Sequence, residues 1–330
     1  MLLRRKAASV LVTLPCAYGV LRLALPLQSR FERLVHQVWP DGLRPYYDPQ
    51  VDHTASLMGL CGLSSYLIVA MGLCTILDLV PSISLRHKVQ GHRSYFTTLM
   101  WLEAVAVGLV NLLCFSWLAV LPCWLLQRDG FLRGGTPLAI VEEPINVPLA
   151  LFHFAAHGVI IDAWFYLTHR AIHYPLLYRW IHKRHHRFHA PAAVACVYAH
   201  PIEFCIGNVG GVVLGPALTN CHPYSAGTSC CVCVCVAVAA CAQCSPATCV
   251  PSLADPAGFW MAYALASTSF SHSGYAVFGA TDHDRHHEHF DCNFGVGVFM
   301  DSLFGTQFEG SRLEARVAAR KREAVSKRGL

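Results

Sequence analysis

Charge is what this sequence lacks. Asp, Glu, Lys and Arg make up 14% of its 330 residues, against roughly 25% in an average soluble domain. Apolar residues make up 54%. A soluble globule of this length needs far more charge on its surface. That excludes an ordinary soluble enzyme, a nucleic-acid binder with a broad basic face and a disordered scaffold. The net charge of +5 is itself local: residues 311–330 hold seven Lys/Arg against two Asp/Glu, and the rest of the chain is neutral. Such an end reads as a solvated tail on the cytosolic side of a membrane.

The cysteines lack the polar, turn-rich surroundings of a disulfide scaffold. Of 16, eight fall between Cys221 and Cys249, in an apolar stretch whose densest part is Cys230-Cys231-Val232-Cys233-Val234-Cys235. Free cysteine behaves as a small buried hydrophobe, so this reads as a membrane-embedded run. Cys241 and Cys244 form a CxxC, with no second pair at the spacing a zinc knuckle needs.

Charge-free runs are present instead. A helix needs about 20 mostly apolar residues to cross the hydrocarbon. Residues 53–77, 104–127, 144–161 and 256–281 are such runs of 25, 24, 18 and 26 residues, and 204–254 is one of 51. Gly215-Pro216 and His222-Pro223 divide the longest, which predicts two passes or a re-entrant pair. The chain reads as a polytopic membrane protein, an all-α helical bundle. Arg4-Arg5-Lys6 opens an N-terminal segment read as an uncleaved anchor or interfacial helix on the cytosolic side. Two basic ends on one side imply an even number of crossings, four by preference and six as the alternative.

Histidine is abundant and unevenly placed. Of 19, nine lie between His153 and His200 and five between His272 and His289. Three clusters stand out: His169 and His173 as HxxxH, then His182, His185, His186 and His283, His286, His287 as HxxHH. On a helix, positions i and i+4 lie 40° apart and i and i+3 lie 60° apart. Each cluster therefore presents its imidazoles on one face, toward one centre. Eight neutral imidazoles are too many for one ion, so two ions or one binuclear centre is expected. Asp162, seven residues before His169, shares its face and is placed to orient a ligand imidazole from behind. His36, His53, His87, His92, His153 and His157 read as structural.

Imidazole suits Zn, Cu, Fe and Ni alike. Neither HxxHH cluster carries the general-base Glu of a hydrolytic HExxH site. Carboxylates at Asp282, Asp284, Glu288 and Asp291 stand beside the third cluster as supporting groups. A nitrogen-rich site next to a greasy channel fits oxygen activation and attack on an unactivated C–H bond.

The clusters and their linkers resemble the fatty acid hydroxylase superfamily, which includes the sterol desaturases and C4-methylsterol monooxygenases. The resemblance runs from about Val159 to Thr306. Beyond the histidines it rests on Ile161-Asp162-Ala163-Trp164-Phe165-Tyr166, His182-Lys183-Arg184-His185-His186-Arg187-Phe188 with Ala190-Pro191, Tyr198-Ala199-His200-Pro201-Ile202-Glu203, Ser271-His272-Ser273-Gly274-Tyr275 and Leu303-Phe304-Gly305-Thr306. It implies a cytosol-facing centre of two metal ions, commonly iron with zinc possible, and O2 as oxidant. It also implies residence in the endoplasmic reticulum and electrons from NAD(P)H through cytochrome b5 and its reductase. The ligand set it implies is His169, His173, His182, His185, His186, His272, His283, His286 and His287, with His272 entering only through this resemblance. His200, Glu203 and His189 are supporting positions.

The implied activity is hydroxylation of a lipid C–H bond, foremost the C4-methyl group of a sterol. Residues 1–150 would be membrane helices, 151–307 the histidine-bearing domain and 308–330 the basic tail. The Cys-rich stretch 221–250 is longer than the family pattern and reads as an insertion. His286-His287-Glu288-His289-Phe290-Asp291-Cys292-Asn293-Phe294 is also similar to sterol side-chain hydroxylases. Fatty acid or sphingolipid hydroxylases and desaturases stay open, and a metal-binding membrane protein without catalysis is the rival of a different class. Acyl desaturases place a helix between their first two boxes, whereas eight residues separate His173 from His182.

Overall fold

A computed structural model describes residues 62–91, 96–116, 147–219 and 256–327. The expected N-terminal anchor, the His222-Pro223 break and the Cys-rich segment with its CxxC lie outside them. The described residues form helices and no strand. In chain order these are α1 (Gly62–Leu79), α2 (Pro81–His87), α3 (Thr98–Phe115), α4 (Val147–Ile172), α5 (Pro175–Trp180), α6 (Pro201–Thr219), α7 (Pro256–Ser271), α8 (Thr281–His289), α9 (Phe299–Phe304) and α10 (Arg312–Lys327). A short 3-10 helix, His182–Arg187, links α5 to a buried connector that leads into α6.

Three of these helices, α1, α3 and α6, are long and apolar enough to cross a membrane. The first two lie largely within expected charge-free runs. Helix α4 is longer, at 26 residues, and carries His153, His157 and Asp162. Helix α7 has 16 residues, about 24 Å at 1.5 Å per residue, short of the ~30 Å hydrocarbon.

The expected break at Gly215-Pro216 does not occur, because α6 runs on to Thr219. Proline at 216 leaves the carbonyl of Val212 without its helical N–H donor. The Trp260 indole N–H from α7 donates to that carbonyl at 2.8 Å and takes the missing place. Gly215 makes room for α4: a Cβ there would stand 2.9 Å from the His157 ring.

The main core joins α1, α3, α6 and α7 around the connector 192–199, every residue of which is at most 5% exposed. Irregular backbone sunk in an apolar core must find hydrogen-bond partners. Two come from the membrane helices. Tyr66 of α1 donates to the Val194 carbonyl at 2.8 Å, and the Asn111 amide of α3 donates to the carbonyls of Val197 and Ala199 at 2.8 and 3.0 Å. Gly108 lets α3 approach, since a Cβ there would meet Val197 at 2.9 Å and the Tyr66 hydroxyl at 3.1 Å. At one end of α3, Glu103 accepts from Arg187 and, at 2.7 Å, from Tyr198. The apolar half of the molecule thereby holds the connector that follows the second histidine cluster.

The basic end of the chain forms α10, a helix with one acidic residue, Glu314, in its first turn. Glu314 accepts from the Gly310 amide at 2.8 Å.

Candidate metal centre

The structure brings nine histidines together in two adjoining groups. One holds His169, His173, His182, His186 and His286; the other holds His185, His272, His283 and His287. Within each group the candidate ligand atoms all lie within 4.8 Å of one another. Seven of the nine are buried, and His173 and His283 are partly so. The rings of His186 and His287 link the groups at a centroid separation of 4.7 Å.

The elements explain the division. Helix α4 ends at box one: its last turn carries His169, and His173 follows directly after Ile172, both in the five-histidine group. Box two is a 3-10 helix rather than the expected α-helix. Winding alone does not part its rings, since i and i+3 eclipse on such a helix; His182 and His186 join the five-histidine group and His185 the other. Box three is helical as expected, yet it too is divided: His283 and His287, four residues apart, join one group while His286 turns to the other. The expectation that each box serves a single centre is therefore corrected. Boxes two and three each bridge both groups.

The ring nitrogens are sorted by hydrogen bonding. A carbonyl can only accept, so an Nδ1 beside one must carry the proton. His169 donates to Phe294 and His286 to Cys292, both at 2.7 Å. His272 donates to Thr268 at 2.8 Å, His287 to Phe188 at 3.1 Å and His185 to Tyr198 at 3.2 Å. His182 Nδ1 meets the Glu203 carboxylate at 2.8 Å. Each of these rings is left with a bare Nε2. The Nε2 atoms of His169 and His182 face one another at 3.0 Å, and those of His185 and His272 at 3.3 Å. Facing lone pairs repel unless a cation lies between them, so these are not hydrogen bonds. The donor set fits metal ions held by neutral imidazoles.

Burial keeps the rings neutral. It pushes His185 down to about 4 and, with His185 nearby, His272 down to about 3. His186, His283, His286 and His287 are held well below the usual histidine range by burial first and by one another second.

Other sequence-predicted residues take different places. Glu203, the buried partner of His182, is in direct support of the five-histidine group. Asp162 is not behind an imidazole as expected. Its carboxylate accepts from the amides of Gly297 and Met300 at 2.7 and 3.0 Å. Asp301 likewise accepts from Phe294 and Gly295. Together they shape the loop whose Phe294 carbonyl takes His169, so Asp162 acts two bonds further out. His200 lies outside both groups and accepts from the Ile202 amide at the start of α6. His189 is exposed, with its ring against Phe290. Glu288 pairs with Arg285 at 2.7 Å. His153 and His157 are buried, and His157 meets Thr219 at 3.0 Å, consistent with a structural part.

Gln90, which sequence reasoning passed over, joins two boxes from α2's trailing segment. Its buried amide donates to the carbonyl of His189 at 2.8 Å and to that of Asp284 at 3.3 Å. Nearby, Asp78 receives Lys88 at 2.8 Å and the Tyr275 hydroxyl at 2.8 Å, pinning the segment after His272. Lone polar residues bounding an apolar run were the available signal.

A cavity of about 560 Å³ opens between α1, α3, α4, α6 and α7. Most of its wall is apolar, and its inner end reaches His169, His185, His272 and His283. Volumes of roughly 300–1,000 Å³ are usual for small-molecule sites.

An all-helical protein with membrane-length helices, a histidine-built metal centre and an apolar cavity leading to it defines a class: membrane metalloproteins that handle apolar molecules. Residues 154–306 match the model of the fatty acid hydroxylase family. The match begins inside α4 and ends at Thr306, spanning all three boxes. No solved structure matches the chain.

Proposed function

We propose that this protein is a membrane-bound, iron-dependent oxygenase that hydroxylates a C–H bond of a lipid, foremost the C4-methyl group of a sterol. The observation that carries the reading is the apolar cavity ending on histidines of both groups. The reaction places one oxygen atom of O2 in the C–H bond and reduces the other to water with two electrons and two protons. Two iron ions bound by the nine Nε2 atoms would supply the chemistry of O2 activation.

The chain's own residues do the rest. The carbonyls of Phe294, Cys292, Phe188, Tyr198 and Thr268 fix the imidazole rings and their protons. Glu203 does so for His182. Phe165, Val197 and Leu265 are among the side chains that line the cavity, exclude water and hold the apolar body of the substrate. No side chain is needed as nucleophile.

On this reading the electrons come from NAD(P)H through cytochrome b5 and its reductase, in the endoplasmic reticulum, with boxes and basic tail facing the cytosol. Exposed Arg179, Lys183, Arg184 and Arg187 beside box two offer an acidic carrier a complementary surface. The test is a sterol profile in cells lacking their own C4-methylsterol oxidase. The intact chain is expected to clear 4-methylsterols, and His286→Ala is not. Accumulation of 4-methylsterols with the intact, iron-loaded chain would overturn the substrate and leave a different lipid to be found.

A further inference from the structure

Nearly every polar side chain on the cavity wall is committed to the protein itself. The hydroxyls of Ser116, Thr268 and Ser271 return to carbonyls of their own helices, and the Trp260 indole goes to Val212. Asn208 and Ser267 differ. Both line the cavity half-buried, and neither side chain makes a hydrogen bond within the described residues. An amide on a membrane-length helix is costly to place and faces an interior surface for a reason. Asn208 also lies in the one stretch of α6, Phe204–Val209, that is wound as a π-helix, a distortion frequent at functional sites.

The position of the pair relative to the histidines is informative. Asn208 follows Glu203 by five residues, and Glu203 touches His182. Ser267 precedes His272 by five residues on the approach from α7. Ser267 stands roughly 7 Å along the chain of α7 from His272 at about 1.5 Å per residue. Asn208 lies on the π-wound stretch of α6, about one turn beyond Glu203. An asparagine offers two donors and an acceptor, and a serine one donor and two lone pairs. That combination matches a hydroxyl group.

We propose that Asn208, with Ser267, is a polar anchor that binds the hydroxyl of a lipid alcohol and sets which carbon faces the histidines. The inference rests on the reading of the centre as a lipid oxygenase and sharpens its substrate class. A hydroxyl held so near the inner end directs attack to a carbon within a few bonds of it. A plain acyl chain, with no polar group at that depth, would leave the anchor unused.

The test uses the full chain in nanodiscs, with metal but no reductant, so that binding is read without turnover. The probes are a 4-methylsterol with a free 3-hydroxyl, its 3-O-methyl ether, and methyl palmitate. The unmodified protein is expected to favour the alcohol over the ether by roughly ten-fold, the worth of one good hydrogen bond. Asn208→Leu is expected to erase that preference while metal content stays unchanged. Ser267→Ala, which removes a single oxygen, is expected to reduce it by about three-fold and serves if Asn208→Leu does not fold. Equal binding of alcohol and ether by the unmodified protein would overturn the anchor but not the oxygenase reading. So would a preference that survives both substitutions. Failure to bind any of the three lipids would overturn both.

Discussion

The two histidine groups use the same side chain and are built differently. The five-histidine group takes both residues of box one, and of its members only His169 reaches the cavity. The four-histidine group takes nothing from box one, and three of its members, His185, His272 and His283, line the cavity. One group is tied to the end of α4 and set back, and the other fronts the apolar space. Their supports differ as well. The Nδ1 atoms of the four-histidine group with a partner each meet a main-chain carbonyl, which no substitution removes, and His272 meets the Ser271 hydroxyl besides, at 3.2 Å. The five-histidine group also uses a side chain, Glu203 on α6. The comparison teaches that the group set back is the one tied by a carboxylate to a membrane-length helix, while the group fronting the cavity is fixed chiefly by main-chain carbonyls.

The largest effects are expected from the ligands. His286→Ala is expected to abolish turnover and empty the five-histidine group, and His283→Ala to abolish turnover and empty the other. Both losses should exceed the roughly 100-fold that removing a partner outside the ligand set costs. Metal analysis and turnover of each purified variant check this; loss of both metals from either variant would merge the two groups into one cooperative unit.

Next comes Glu203→Ala. It is expected to weaken metal binding at the five-histidine group by roughly 10–100-fold and leave the four-histidine group near its normal affinity. Titration with a competing chelator reads this directly. Equal weakening at both groups would remove the distinction drawn between their supports.

The smallest effect is a pH dependence shared by the buried rings. His185 and His272 titrate in the folded chain at about 4 and about 3, but near 6.5 when unfolded. Between those values the unfolded chain binds more protons. Stability is therefore fully present above pH ~6.5 and is lost as pH falls toward about 4. Thermal unfolding of the metal-stripped protein between pH ~8 and ~4 checks the sign. A midpoint that stays level across that window would contradict it.

Much of this architecture was legible in the chain. Charge-free runs located α1, α3 and α6, because a bilayer tolerates few charges, and helical spacing located the eight box histidines. What was not legible has physical causes. The HxxHH spacing does not show that the members of one box part between two groups, as they do both in box two on a 3-10 helix and in box three on an α-helix. Pro216 reads as a break until Trp260, 44 residues on, is seen to occupy the carbonyl it frees. Asp162 shares a helical face with His169 but turns to the Gly297 amide, a contact 135 residues apart. Asn111 and Tyr66 look like stray polar residues in apolar runs. Their role appears only when the connector 192–199 lies between their helices.

The central claim is that nine histidines form two metal sites. Its most direct measurement is the metal content of the purified full-length protein, per chain, by elemental analysis. The account predicts two ions per chain, falling to one in His286→Ala and in His283→Ala. A single ion, or none, in the intact and folded protein would contradict it.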